Sequence, residues 1–112
     1  MTSGEKMRRI DDLLSHVWVV RTFIKHSDEA EEDEGLRDVQ RDLYDYMLAL
    51  GAAWKAQDAD TYLKQAAKKW QRLREAAKRF AELQPEVSTH TNYQMARQSL
   101  LVAVTEIGTI LE

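Results

Sequence analysis

Three histidines and a dense set of carboxylates are the side chains in this sequence whose types suggest metal or acid–base chemistry. His26 and Glu29 stand three residues apart, which on a helix puts both on one face. An imidazole beside carboxylates is a mixture able to ligate a transition metal. If the chain folds back on itself so that residues 26 and 90 share one end, His90 joins them, together with Asp28, Glu31, Glu32, Glu34, Glu82 and Glu86. Di-iron bundles build their centres from paired Glu-x-x-His motifs, and that spacing occurs nowhere here. His26, Glu29 and His90 are therefore the candidate metal ligands, and we expect a solvated acidic cap carrying two surface histidines. No cofactor is predicted.

Other chemistry is excluded by composition. The chain has no cysteine, which removes a disulfide framework, a thiolate zinc site and a cysteine nucleophile together. It has no glycine-rich phosphate loop, no His-Glu-x-x-His and no Gly-x-Ser-x-Gly. Histidine as a residue type can serve acid–base chemistry near neutral pH, but the chain neighbours of His16 offer no acid–base partner, so we read it as a boundary histidine. No catalytic residue can be assigned.

Arg21 is the most anomalous charge. By helical angle it lies between Leu14 and Ile24, inside a stripe of apolar residues. A turn near Gly35 would bring Arg21 level with Asp45 and Tyr46, and His26 level with Asp42. An isolated buried charge is prohibitively costly, so Arg21 is expected to lay its stem along the core edge and pair its head with Asp42 or Asp45. The alternative is an anion contact in a cleft between helices.

These residues must be positioned by helices. Apolar side chains recur at spacings of three and four through nearly the whole chain. The first stripe is Met7, Ile10, Leu13, Leu14, Val17, Val20 and Ile24, opened by a capping box of Thr2 with Glu5. The acidic run from Asp28 to Glu34 opposes the macrodipole of a preceding helix and favours the start of the next. The second stripe is Leu36, Val39, Leu43, Tyr46, Met47, Leu50 and Trp54. Asp58 and Asp60 are natural N-caps for the third, which is Tyr62, Ala66, Trp70, Leu73, Ala77 and Phe80 and which Pro85 should stop. Thr91 with Gln94 can open the fourth, although Ser88 or Thr89 could cap instead. It carries Tyr93, Ala96, Leu100, Ala103, Val104, Ile107 and Leu111.

Four such rods joined by short connections predict an all-α fold, an antiparallel up-down-up-down four-helix bundle, with residues 1–112 as one domain. A three-helix bundle whose fourth helix serves a partner is the rival. At 112 residues the chain can bury a core without staples. Its N-terminus shows no apolar signal region, and no apolar run approaches the length of a membrane span. A cytoplasmic protein with no membrane partner is the expectation.

The outward faces carry the functional signal. From Thr89 to Leu111 only Arg97 and Glu106 are charged, and the outer stripe reads Gln94, Gln98, Val102, Thr105 and Thr109, flanked by Met95 and Leu101. A helix bathed in water normally carries a charged outer face. The first segment adds Trp18, Val19 and Phe23 away from its core stripe. First and fourth helices adjoin in an up-down bundle, so these residues predict an interface for another protein or for a second copy of the chain, with a closed homodimer as the expected form. Lys64, Lys68, Arg72 and Arg79 stripe the third helix and could follow a phosphate backbone. The net charge of −3 and the lack of any stacking platform argue against nucleic acid.

Overall fold

Four long apolar stripes need four helices to display them, and the computed structural model, which describes all 112 residues, supplies these and one short helix more. α1 runs Ser3–Lys25, α2 Asp28–Glu32, α3 Glu34–Lys55, α4 Ala59–Val87 and α5 Thr91–Leu111, and there is no strand. No helix is long and apolar enough to cross a membrane.

The starts obey side-chain capping. The Thr2 hydroxyl accepts from Glu5 N at 3.1 Å while the Glu5 carboxylate accepts from Thr2 N at 2.9 Å, which closes the expected box. Asp58 accepts from the amide of Thr61 at 3.1 Å and from its hydroxyl at 2.7 Å. These bonds hold the carboxyls of Glu5 and Asp58 below their ordinary values. Gln57, just before that cap, takes φ 53 at the turn.

Three boundaries differ from expectation. The acidic run is not a plain turn: Asp28–Glu32 winds one helical turn because Arg37 donates to the carbonyls of Ala30 at 3.0 Å and Glu31 at 2.9 Å, and the Ala30 methyl is buried. Asp33 then caps α3 by accepting from Leu36 N at 3.0 Å. Pro85 does not stop α4, which continues to Val87. Proline has no N–H for the carbonyl four residues back, and here that carbonyl, Ala81 O, accepts instead from Arg97 Nε at 3.2 Å. Thr91 does not cap α5; His90 occupies the cap position without a side-chain bond, and Gln94 Nε2 donates to Thr89 O at 2.9 Å.

Packing follows the stripes. α1 lies against α3 and α5, and α4 closes the ring by lying against both α3 and α5. The core is one cluster of 25 buried residues, with Tyr62, Phe80, Ile10, Ile24, Leu36, Leu43, Leu50, Leu73, Leu100 and Ile107 completely enclosed. Burying each such side chain contributes about 1.5–3 kcal/mol. Two tyrosines bring polar tips inside. Tyr46 donates to Ala66 O at 2.9 Å and Tyr62 to Asp11 Oδ1 at 3.3 Å, and burial raises both phenols far above their ordinary value. Trp70 lies flat on Gly108 and donates Nε1–H to Val104 O at 3.2 Å; a Cβ at position 108 would come within 2.8 Å of the indole Cε2.

Candidate functional site

The end of α1, the short α2 and the start of α5 enclose a shallow cleft of about 300 Å³. His26, Glu29 and His90, the three candidate ligands, all line it, with Phe23, Asp28 and Tyr93. Glu82 and Glu86 are exposed on α4 and do not line this cleft. No three His, Asp or Glu side chains converge as a group that could hold a metal ion. Beside the cleft, Glu29 Oε2 and the Tyr93 hydroxyl are both shielded from solvent, and the hydroxyl lies within reach of the Glu29 carboxylate and the Ser27 hydroxyl. Burial raises the Tyr93 phenol, and the Glu29 and Asp28 carboxylates add to the effect while the Ser27 hydroxyl opposes it. Tyr93 was legible from the sequence only as core. Its ring is core, edge-on to Phe23 at 4.9 Å and tilted on Phe80 at 6.4 Å, and the residue also borders the cleft.

Arg21 is not paired with Asp42 or Asp45, since neither makes an ion pair. Its guanidinium carbon sits 4.7 Å from the Tyr44 ring centroid and 5.2 Å from that of Trp18, a cation between two aromatic faces. The physical reason is rotation about α3. Successive residues on a helix turn by about 100°, so Tyr44 faces Arg21 where its neighbour Asp45 turns to solvent. Arg21 Nε is buried without a hydrogen-bond partner, which pairing would have removed.

The interface candidates separate into four places. Trp18 and Val19 do not adjoin α5; both are exposed beside a groove between α1 and α3 lined also by Met47, Leu50 and Trp54. Phe23 is half-buried against Tyr93. On α5, Met95, Gln98 and Val102 line a groove of about 400 Å³ shared with Arg9, Leu13 and His16 of α1. Thr105 and Thr109, with the half-buried Leu101, border a second groove against Trp70 of α4. Gln94, Gln98, Thr105 and Thr109 are exposed, and Met95 and Val102 are 53% and 59% exposed. The exposed Tyr44 and Leu48 of α3 escaped the sequence reading, which followed only the core stripe of that segment.

His16 meets Ser99 of α5, with 3.4 Å between Nδ1 and Oγ. No carboxylate bonds to His16, and the nearby Glu106 is committed to Arg9 at 2.7 Å, so the pair lacks the third member of a nucleophilic triad. On α4, Lys64, Lys68 and Arg72 are exposed, while Arg79 reaches Asp38 at 3.4 Å. Arg74 lies over the Trp70 ring at 5.9 Å.

Set against known protein families, curated proteins and solved structures, the chain matches none of them.

Proposed function

We propose that the chain is a non-catalytic interaction module, a single antiparallel up-down-up-down bundle that pairs with a second copy of itself through the outer face of α5 and the adjoining edge of α1. Cross-helix contacts support the alternation of directions. Between α1 and α5, Arg9 meets Glu106 and His16 meets Ser99. Between α3 and α4, Asp38 meets Arg79 and Tyr46 meets Ala66. Between α4 and α5, Trp70 meets Val104 and Ala81 meets Arg97. In each pair the residue number rises along one helix as it falls along the other.

The observation that carries the pairing is the composition of the exposed side of α5. Its outward residues are Gln94, Met95, Gln98, Val102, Thr105 and Thr109, with Arg97 the one exposed charge of the helix beside them and two apolar side chains more than half in water. Leaving such a surface wet forgoes about 25 cal/mol for each Å² of apolar area, and a twofold partner removes it with one self-complementary patch. The Arg9–Glu106 ion pair on the groove rim would fix the register without adding much affinity.

Sedimentation equilibrium over a concentration series tests the reading. The wild-type chain should show a concentration-dependent dimer, and Val102→Glu should make it a monomer with an unchanged helical spectrum. Leu48→Glu, on the α1–α3 side, should leave the dimer intact. A chain that stays monomeric at millimolar concentration overturns the proposal; dissociation by Leu48→Glu alone moves the contact to the groove beside Trp18.

A further inference from the structure

The groove between α1 and α3 lies outside the pairing face and gathers most of the large apolar side chains left in water. Trp18 and Val19 line it with Met47 and Trp54, and the exposed Tyr44 and Leu48 continue it along α3, one helical turn apart. Along the α1 wall Asp11 and Arg21 stand ten residues apart, or about 15 Å. The open volume is about 410 Å³.

The floor of the groove is bare at Gly51, where no atom lies within 4 Å of the place a Cβ would take. Gly51 has no positive φ, so neither backbone nor packing requires a glycine inside α3, where alanine would be more stable. A bare helix surface does permit the close approach of something from outside.

Charge identifies the occupant. Arg21 makes no ion pair, and its guanidinium lies between the faces of Trp18 and Tyr44. Helical spacing carries exposed bases past both ends of the apolar strip: Arg8 seven residues before Ser15, Lys25 seven after Trp18, and Arg41 and Lys55 seven residues either side of Leu48. The acids on these faces are Asp11, which accepts from Tyr62, together with Asp12 and Asp45. Bases therefore outnumber acids around this groove, in a chain whose net charge is −3. A second copy would present the same basic excess, and a nucleic acid strand would set its phosphates over an aliphatic floor. An acidic amphipathic helix meets both features, since its apolar face fills the strip and its carboxylates answer the basic rim.

We propose that the α1–α3 groove docks an acidic amphipathic helix of a partner protein, about three turns long, with an apolar side chain packed over Gly51 and a carboxylate paired with Arg21. This surface is separate from the self-pairing face, so either can fail without the other.

Fluorescence anisotropy on the full chain tests the docking with three labelled peptides of about fifteen residues, near the shortest length that is helical alone. The first carries leucines along one helical face and glutamates elsewhere, the second has lysines for the glutamates, and the third shuffles the first to break its periodicity. The first should bind saturably and shift the indole NMR signals of Trp18 and Trp54; the second should bind at least about tenfold more weakly, equal to about 1.4 kcal/mol; the third should not bind. Arg21→Met should weaken the acidic peptide by a similar factor. Gly51→Leu should abolish binding while the melting temperature of the peptide-free protein stays level or rises. Should Gly51→Leu fold poorly, Leu48→Glu, at a position 64% exposed, is the second blocking variant. No saturation at millimolar peptide, equal binding of the acidic and basic peptides, or blocking variants that bind like wild type overturn the proposal. So does loss of self-pairing in Gly51→Leu by sedimentation, which would give the groove to a second copy.

Discussion

Single side chains here are governed by what faces them across a helix boundary. Arg21 sits between two aromatic rings instead of beside a carboxylate, and an exposed cation–π contact contributes about 0.5–1 kcal/mol. Arg21→Met keeps the stem, loses the charge and removes the unmet Nε, so its stability should stay within about 1 kcal/mol of wild type in urea unfolding. A loss of about 3 kcal/mol or more would mean instead that a buried ion pair had been broken. Asp11 gives a pH-dependent case. Burial raises its carboxyl above the ordinary 3.8, partly offset by the hydrogen bond from Tyr62. A folded-state value above the unfolded one means that the native protein binds this proton more tightly, so the contribution of Asp11 to stability falls as pH rises through that interval. Asp11→Asn, which can still accept from Tyr62, should be neutral or slightly stabilising at neutral pH, and the difference from wild type should shrink in acid. Denaturant titrations at two pH values measure this, and a marked loss at neutral pH would contradict it.

At the scale of elements, the informative joint is Pro85 with Arg97. Periodicity and the rule against interior proline both place the end of the third helix at Pro85, and the helix nevertheless continues to Val87. The freed carbonyl, Ala81 O, is met by an arginine sixteen positions further along the chain, a contact no local pattern encodes. Arg97→Ala should cost about 1 kcal/mol in the wild-type background, and less in Pro85→Ala, where the restored N–H reaches the same carbonyl. A double-mutant cycle in urea reads the coupling directly, and strict additivity would remove this account of the uninterrupted helix. The α4–α5 contact at Gly108 is a second joint. A methyl group there overlaps Trp70, so Gly108→Ala should destabilise by about 1–3 kcal/mol and alter indole fluorescence.

For the molecule as a whole, the apolar surface left in water is divided between faces. Met95 and Val102 lie on α5, while Trp18, Val19, Tyr44 and Leu48 lie on α1 and α3. Composition alone merged the α1 and α5 excesses into one surface; the rotation of α1 separates them, turning Trp18 toward Met47 and Trp54. The α5 face keeps the stronger case for self-pairing because Arg97 is its one exposed charge and Glu106 is already paired with Arg9, whereas the α1–α3 groove has Arg21 stacked between Trp18 and Tyr44. Charge is just as uneven, with acids on α2 and the start of α3 and exposed bases on α4, bridged within the chain by Arg79 and Asp38. If that segregation contributes to pairing between copies, added salt should weaken the dimer, since exposed charges are screened beyond about 10 Å at 0.1 M. A salt-independent dissociation constant would assign the association to apolar contact alone.

The residue pattern by itself determined that this chain is helical, and it picked out the core. Every residue of the first stripe, from Met7 to Ile24, is buried, and the capping box at Thr2 is formed as its spacing requires. This works because one helix's apolar stripe and cap are local properties, fixed by 3.6 residues per turn and by bonds between near neighbours. Only the tertiary structure decided which aromatic rings hold Arg21, what meets the carbonyl before Pro85, and that Tyr93 borders the cleft of His26 and His90. Those outcomes depend on how far each helix rotates and slides against the next. Interlocking side chains across the core set that rotation and slide, and no spacing within one helix records it.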